Sequence, residues 1–356
     1  MVGQQGDSSR GGHLAALSLP GPANASAARS PAGSLGLMTA VPLQRGSRRH
    51  PSRPRSATSP ARQALIAATS GLAWSTGASA LLRALPRWRR LERSNFHGRT
   101  VSLRGGIASA IGATAVAGCA GALARPNALT ARPGAAAVIA ASAGGTAGLI
   151  DDLDAGAHDG DAPAKGLAGH LGALARGRVT TGALKIAIIG SGALVGGVLL
   201  ARHRAPAAPA ARPRALVADA AVSAIVIGAW ANVHNLLDLR PGRALKASAL
   251  ISAPLLAWPG QAAAPTRILA AGALGVAAAS APEDLGERTM LGDTGANSLG
   301  ALVGAALAAA PSRAFRHGAA VAGAALILAS ERVSFSRVID STPALAALDA
   351  LGRRDQ

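Results

Sequence analysis

Residues 134–154 read GAAAVIAASAGGTAGLIDDLD. A run of small and apolar side chains ends abruptly in Asp151, Asp152 and Asp154. The run approaches the ~20 residues that cross a bilayer. Carboxylates at the rim of such a segment are costly and usually functional. The pattern occurs twice more. Asn232-Val233-His234-Asn235-Leu236-Leu237-Asp238 closes one apolar stretch, and Met290-Leu291-Gly292-Asp293-Thr294-Gly295-Ala296-Asn297 opens another. Oxygen ligands gathered from several loops are what a Mg²⁺ ion bridging phosphates needs.

Composition supports the membrane reading. Of the 356 residues, 49% are hydrophobic and 15% charged. The mean hydropathy is +0.30. This balance fits an integral membrane protein, and the abundance of Ala and Gly suits closely packed transmembrane helices. The net charge of +19 would point to nucleic acid in a soluble protein, but aromatics make up only 2% and no nucleic-acid motif is present. Anionic headgroups and phosphates are the partners expected instead. One cysteine, Cys119, excludes a disulfide framework.

Residues 1–60 are rich in Ser, Pro, Gly and Arg and read as a disordered basic tail. Residues 61–340 form the expected transmembrane domain, and 341–356 a short cytoplasmic tail. The fold expected is all-α, a polytopic bundle of about nine membrane segments at 63–85, 107–124, 134–150, 183–201, 215–234, 247–259, 268–281, 297–311 and 317–331. Arg87, Arg89, Arg90, Arg93, Arg99, Arg104, Lys165, Arg240, Arg243, Lys246 and Arg288 fall in one set of loops. The opposite set is poorer in Lys and Arg, so the richer set is read as cytoplasmic, and all three acidic clusters share its side.

The residue types at that rim define a chemistry. Asp151 and Asp152 point about 100° apart on a helix and can address one site from two directions, unless they simply begin a solvated loop. Lys165 can neutralise a diphosphate or anchor the interface. Asn235 and Asp238, three apart, share a helical face and offer oxygen to a hard metal. His234 reads as a helix-end interface histidine. Arg240 and Arg243 can grip phosphate oxygens, or serve only as topological charge. Asp293 lies among glycines that allow a ligand to approach, or it caps the following helix together with Thr294. Glu283, Asp284 and Glu287 read as a solvated face. Gly105 and Gly106 follow an arginine-rich loop and admit a headgroup, or form a plain turn.

Taken in order, Gly-Leu-Ile-Asp151-Asp152, Lys165-Gly-Leu, Asn235-Leu-Leu-Asp238 and Leu291-Gly-Asp293-Thr-Gly resemble the polyprenyl-phosphate N-acetylhexosamine-1-phosphate transferases. That group includes the undecaprenyl-phosphate GlcNAc-1-phosphate transferases and the phospho-MurNAc-pentapeptide translocases. The resemblance covers about residues 95–340. It implies a plasma-membrane enzyme of cell-envelope glycan synthesis, acting on its cytoplasmic side. Such an enzyme moves a sugar-1-phosphate from a UDP-sugar to polyprenyl (undecaprenyl) phosphate and releases UMP. By the same resemblance Asn235 and Asp293 hold Mg²⁺, with Mn²⁺ a substitute. Asp151, Asp152 and Lys165 match the family's catalytic positions and Gly105 and Gly106 its glycine pair, while Asp238, Arg240 and Arg243 are read from their residue types as further substrate-binding groups. Membrane lipids are further partners, nucleic acid is not, and a homodimer is compatible with the family. Two features depart from the family. Asp238-Leu-Arg240-Pro-Gly-Arg243 replaces a second acid with bases, and Glu331–Arg337 stands where a histidine-rich loop and a tenth segment belong. An alternative is therefore a homologue that binds polyprenyl phosphate without turnover.

Overall fold

Ser59 and Pro60 start the first helix: the Ser59 hydroxyl accepts from the Arg62 amide (3.3 Å), and proline at the first position suits a helix start. The computed structural model describes residues 59–86, 89–123, 128–154, 169, 172–173, 175–207 and 213–353, all within one compact unit. The expected basic tail over 1–60 lies almost wholly outside the described residues, as does Lys165.

The long helices are α1 (Pro60–Ala84), α2 (Arg104–Leu123), α3 (Ala128–Asp154), α4 (Thr181–Arg204), α5 (Pro213–Leu237), α6 (Arg243–Leu255), α7 (Ala264–Asp284), α8 (Gly292–Ala308) and α9 (Arg313–Ser330). Two short helices follow, α10 (Phe335–Ser341) and α11 (Pro343–Ala350). Each of the nine expected apolar segments overlaps one of the long helices, and five of them (63–85, 107–124, 247–259, 297–311 and 317–331) extend one to four residues past the helix end. A small antiparallel hairpin, β1 (Glu92–Ser94) with β2 (Thr100–Ser102), joins α1 to α2.

The nine expected crossings are matched in part. Among the described residues five helices (α1, α3, α4, α5 and α7) are long and apolar enough to span a membrane, and α9 with α10 makes a sixth if that pair, bent by 96°, counts as one. Length explains two of the shortfalls. The 13 residues of α6 rise only about 20 Å against a ~30 Å hydrocarbon core. The 17 residues of α8 fall just short as well. The C-terminal stretch read as a tail is helical from Pro343 to Ala350, and its Asp349 accepts from Arg243 of α6.

Helix α8 is the hub. It packs against α3 and α5 most extensively and against α2 and α7 as well, and from Thr294 to Ala308 its residues are buried. Its core face is Ala, Gly, Leu and Val, so helix axes approach closely and dispersion contacts do most of the holding. Helices α1 and α4, mostly exposed along their length, form the outer wall.

The end of the bundle away from the acidic motifs is clasped by charge. Asp219, near the start of α5, accepts from Arg204 at the end of α4 (2.9 Å) and from Arg316 at the start of α9 (2.7 Å). The same arginines donate to the carbonyls of Ala308 and Ala310, which close α8 (2.8 Å each). Four helix ends are thereby satisfied by one acid and two guanidiniums.

Candidate functional site

Asp152 joins two of the motifs. From the last turn of α3 its carboxylate accepts from the amides of Asp293 (3.2 Å) and Thr294 (2.9 Å) and from the Thr294 hydroxyl (2.6 Å). These are orphan donors at the start of α8, so an acid from another helix caps it, in place of Asp293 or Thr294 themselves. Arg93 of the hairpin donates to the Asp152 carbonyl. The junction is tight. A Cβ on Gly148 would strike the carbonyl of Asp293, and one on Gly106 would strike that of Leu291.

Asp151, Asn235 and Asp293 meet around a single cation, Lys185. Its ammonium sits in an ion pair with Asp293 Oδ2 and lies 3.4 Å from Asp151 Oδ2. With the Asn235 amide turned so that its nitrogen donates to Asp293 Oδ1 (2.9 Å), its oxygen accepts from Lys185 Nζ at 3.0 Å. Three oxygens from α3, α5 and α8 thus converge on one positive charge from α4. Lys185 is 12% exposed, while Asp151 and Asp293 are 31% and 29% exposed.

Oxygen is the donor type a hard divalent ion takes, and the three here would fill half of an octahedral shell. Two of the three are carboxylates and the third an amide. Among the described residues no group of three Asp, Glu, His or Cys side chains is arranged for a metal.

Asp238 stands slightly apart, beside the Gly292 backbone. Burial pushes its carboxyl well above the ordinary 3.8, and the negative charges of Asp284, Asp293 and Asp152 push in the same direction. Asp284 proves structural rather than solvated. It is 4% exposed and accepts from the amides of Gly242 (2.6 Å) and Leu291 (3.2 Å), tying the loop after α5 to the loop before α8. Glu287, 8% exposed, is likewise not on a solvated face. Asn95 (2.6 Å) and His97 (2.9 Å) from the hairpin hold it, and despite burial they keep its carboxyl below the ordinary range. Glu283 pairs with Arg83 at 2.9 Å. A cavity of about 320 Å³ opens beside this group, lined by Asp238, Asp284, Glu287, Arg240, Phe96 and Thr289 among others.

Arg240 and Arg243, expected to face phosphate, are engaged within the chain. Arg240 forms a two-pronged bond with Asp340 of α10 (2.8 and 2.6 Å) and stacks over Phe96 at 4.6 Å. Arg243 forms the same kind of bond with Asp349 of α11 (2.8 and 3.0 Å), and Lys246 donates to the Asp349 carbonyl. Bidentate carboxylates are the best partners for guanidinium groups, and residues about 100 positions away supply them. His234 is fully buried, not interfacial, and its Nδ1 donates to the Trp230 carbonyl at 2.7 Å. Gly105 lies against Thr289 and Gly106 against Leu291, so this pair accommodates the loop before Asp293.

Lys185 is the member of this cluster that pattern reading missed. The available signal was its isolation: between Thr181 and Ala201 it is the only charge in an apolar helix. A lone lysine in such a segment needs an acid partner. No protein-family model matches this chain, and no curated protein matches it significantly.

Proposed function

We propose that the protein is a membrane phosphoglycosyltransferase that moves a sugar-1-phosphate from a UDP-sugar to a polyprenyl phosphate and releases UMP in cell-envelope glycan synthesis. The observation that carries this reading is the convergence of Asp151, Asn235 and Asp293 on Lys185. These residues come from three of the four motifs that resemble the family, and they meet at one end of an apolar bundle. In this reading the site end faces the cytoplasm, where a soluble nucleotide sugar meets an acceptor held in the plasma membrane.

Attack of one phosphate on a diphosphate brings anions together, so the site must supply fixed positive charge. Lys185 supplies one, held in place by three oxygens, and is free to exchange a carboxylate partner for a phosphoryl oxygen. Mg²⁺ would be held by Asp293 and Asn235 and would polarise the diphosphate. Asp151, the more weakly bonded partner of Lys185, is the group placed to receive a proton or orient the acceptor phosphate. Asp152 acts by positioning, because its carboxylate fixes the backbone from which Asp293 projects.

The test is UMP release by the purified full chain in lipid nanodiscs, with undecaprenyl phosphate, Mg²⁺ and a panel of UDP-sugars. Turnover with one donor, abolished in Asp293→Ala, is the expected result; release unchanged in Asp293→Ala would overturn the reading. A second reading is a homologue that binds polyprenyl phosphate without turnover. It is favoured by Arg240 and Arg243, whose guanidiniums are paired with Asp340 and Asp349. It expects lipid-phosphate binding with no UMP from any donor.

A further inference from the structure

Two cavities flank the segment from Glu283, at the end of α7, to Met290, and they carry opposite charge. The cavity described above is lined by three carboxylates and one guanidinium. The other, about 510 Å³, lies between the end of α1, the hairpin and the end of α7. Its charged lining is Arg83, Arg104, Arg288, Glu92 and Glu283, and Thr289 borders both cavities.

The guanidiniums of this second cavity are unequally engaged. Arg83 is neutralised by Glu283 at 2.9 Å. Among the described residues the Arg104 guanidinium donates only to the carbonyls of Leu85 (3.2 Å) and Pro86. Arg288 is exposed, with a single long contact to the Pro282 carbonyl (3.4 Å). Among the described residues neither Arg104 nor Arg288 has a carboxylate partner. Each guanidinium carries five N–H donors, so both retain capacity for an oxyanion. Ser79, Thr100 and Ser102 add hydroxyls.

Position defines the ligand further. Ser79 and Arg83 lie in the last turns of α1, whose Leu72, Trp74 and Leu81 are 43%, 53% and 66% exposed. An apolar outer helix therefore runs directly to a basic cavity at the rim. The geometry points to a binding site for the phosphate headgroup of a membrane lipid, with its hydrocarbon tail lying along α1. The site is separate from the Lys185 cluster and does not require that cluster to catalyse anything. The source of the phosphate is either bulk phospholipid or a polyprenyl phosphate, which share the same headgroup chemistry.

The test is calorimetric titration of the full chain in detergent, on an Asp293→Ala background, so that turnover plays no part. Three ligands are compared: short-chain phosphatidylglycerol, short-chain phosphatidylcholine and a short polyprenyl monophosphate, each with and without inorganic phosphate as competitor. An anionic lipid should bind more tightly than phosphatidylcholine. Arg288→Gln should weaken it about tenfold, the scale of one charge-assisted hydrogen bond. Glu92→Gln should strengthen it by removing a like charge. Arg288 makes one long contact, so this variant should fold with unchanged thermal stability; Arg104→Gln is the companion. Loss of both anionic lipids in Arg288→Gln assigns a general headgroup site, and loss of the polyprenyl phosphate alone assigns a site selective for that lipid. Competition by inorganic phosphate would show that the headgroup supplies the contact. Equal affinity for phosphatidylcholine, or affinities unmoved by both Arg288→Gln and Glu92→Gln, would overturn the inference.

Discussion

Lys185 holds two carboxylates and an amide that would otherwise repel or leave one another unsatisfied. Replacing it with alanine leaves Asp151 and Asp293 uncompensated in a half-buried position. If the cluster is catalytic, Lys185→Ala should lower UMP release about 100- to 1000-fold, as expected for losing one preorganised charge at a developing anion. Arginine at this position should not rescue, because its planar fork does not fit a three-oxygen cradle. Initial-rate measurement on folded, size-homogeneous protein checks this. Gly148 makes a different kind of prediction. Its α-carbon lies against the Asp293 carbonyl, and Gly148→Ala forces α3 and α8 apart. The expected cost is about 1–3 kcal/mol from overpacking, read as a fall in thermal midpoint in detergent.

At the scale of elements, the C-terminal helices are latched to the site end by Asp340 and Asp349. Asp349 is 5% exposed and bonds Arg243, with Arg353 (3.0 Å) adding to the pair. Burial opposes its charge, but Arg243, Arg353 and Lys246 more than offset this and hold its carboxyl below the ordinary 3.8. The sign of the pH dependence follows. A depressed carboxyl contributes stability that is present above its unfolded value and is lost as pH falls through the lower folded value. Docking of α10 and α11 should therefore persist at neutral pH and weaken only below about pH 4. Asp349→Asn should loosen the pair at neutral pH. The check is hydrogen exchange across residues 335–350, which should speed up in the variant while α8 stays protected. Equal protection of the two segments in wild type and variant would count against the latch.

At the scale of the whole molecule, charge separates the two ends of the bundle. One end gathers Asp151, Asp152, Lys185, Asn235, Asp238 and Asp293, and the other is the Arg204–Asp219–Arg316 clasp. The excess of loop Lys and Arg lies at the site end, which predicts that this end faces the cytoplasm. Single cysteines in a Cys119→Ala background test it. Arg313→Cys, on an exposed position at the clasp end, should react with an impermeant maleimide on intact cells. Leu239→Cys, 57% exposed at the site end, should react only after permeabilisation. The reverse pattern would invert the topology and remove the basis for a nucleotide-sugar donor.

The sequence by itself determined the helical, membrane-type class of this protein and where its apolar segments run, because hydropathy is a local property summed over consecutive residues. It also marked Asp151, Asp152, Asn235 and Asp293, since polar groups at apolar segment ends stand out without any knowledge of packing. Only the tertiary structure decided what those groups touch. Asp152 became a helix cap, Lys185 entered the cluster from inside an apolar helix, and Arg240 and Arg243 were engaged by acids about 100 residues away. Glu287 and Asp284 moved from an expected solvated face to buried hydrogen-bonding roles. The physical reason is the same in each case. A charged group takes the partner that desolvation and geometry make available in space, and separation along the chain carries almost no information about which partner that is.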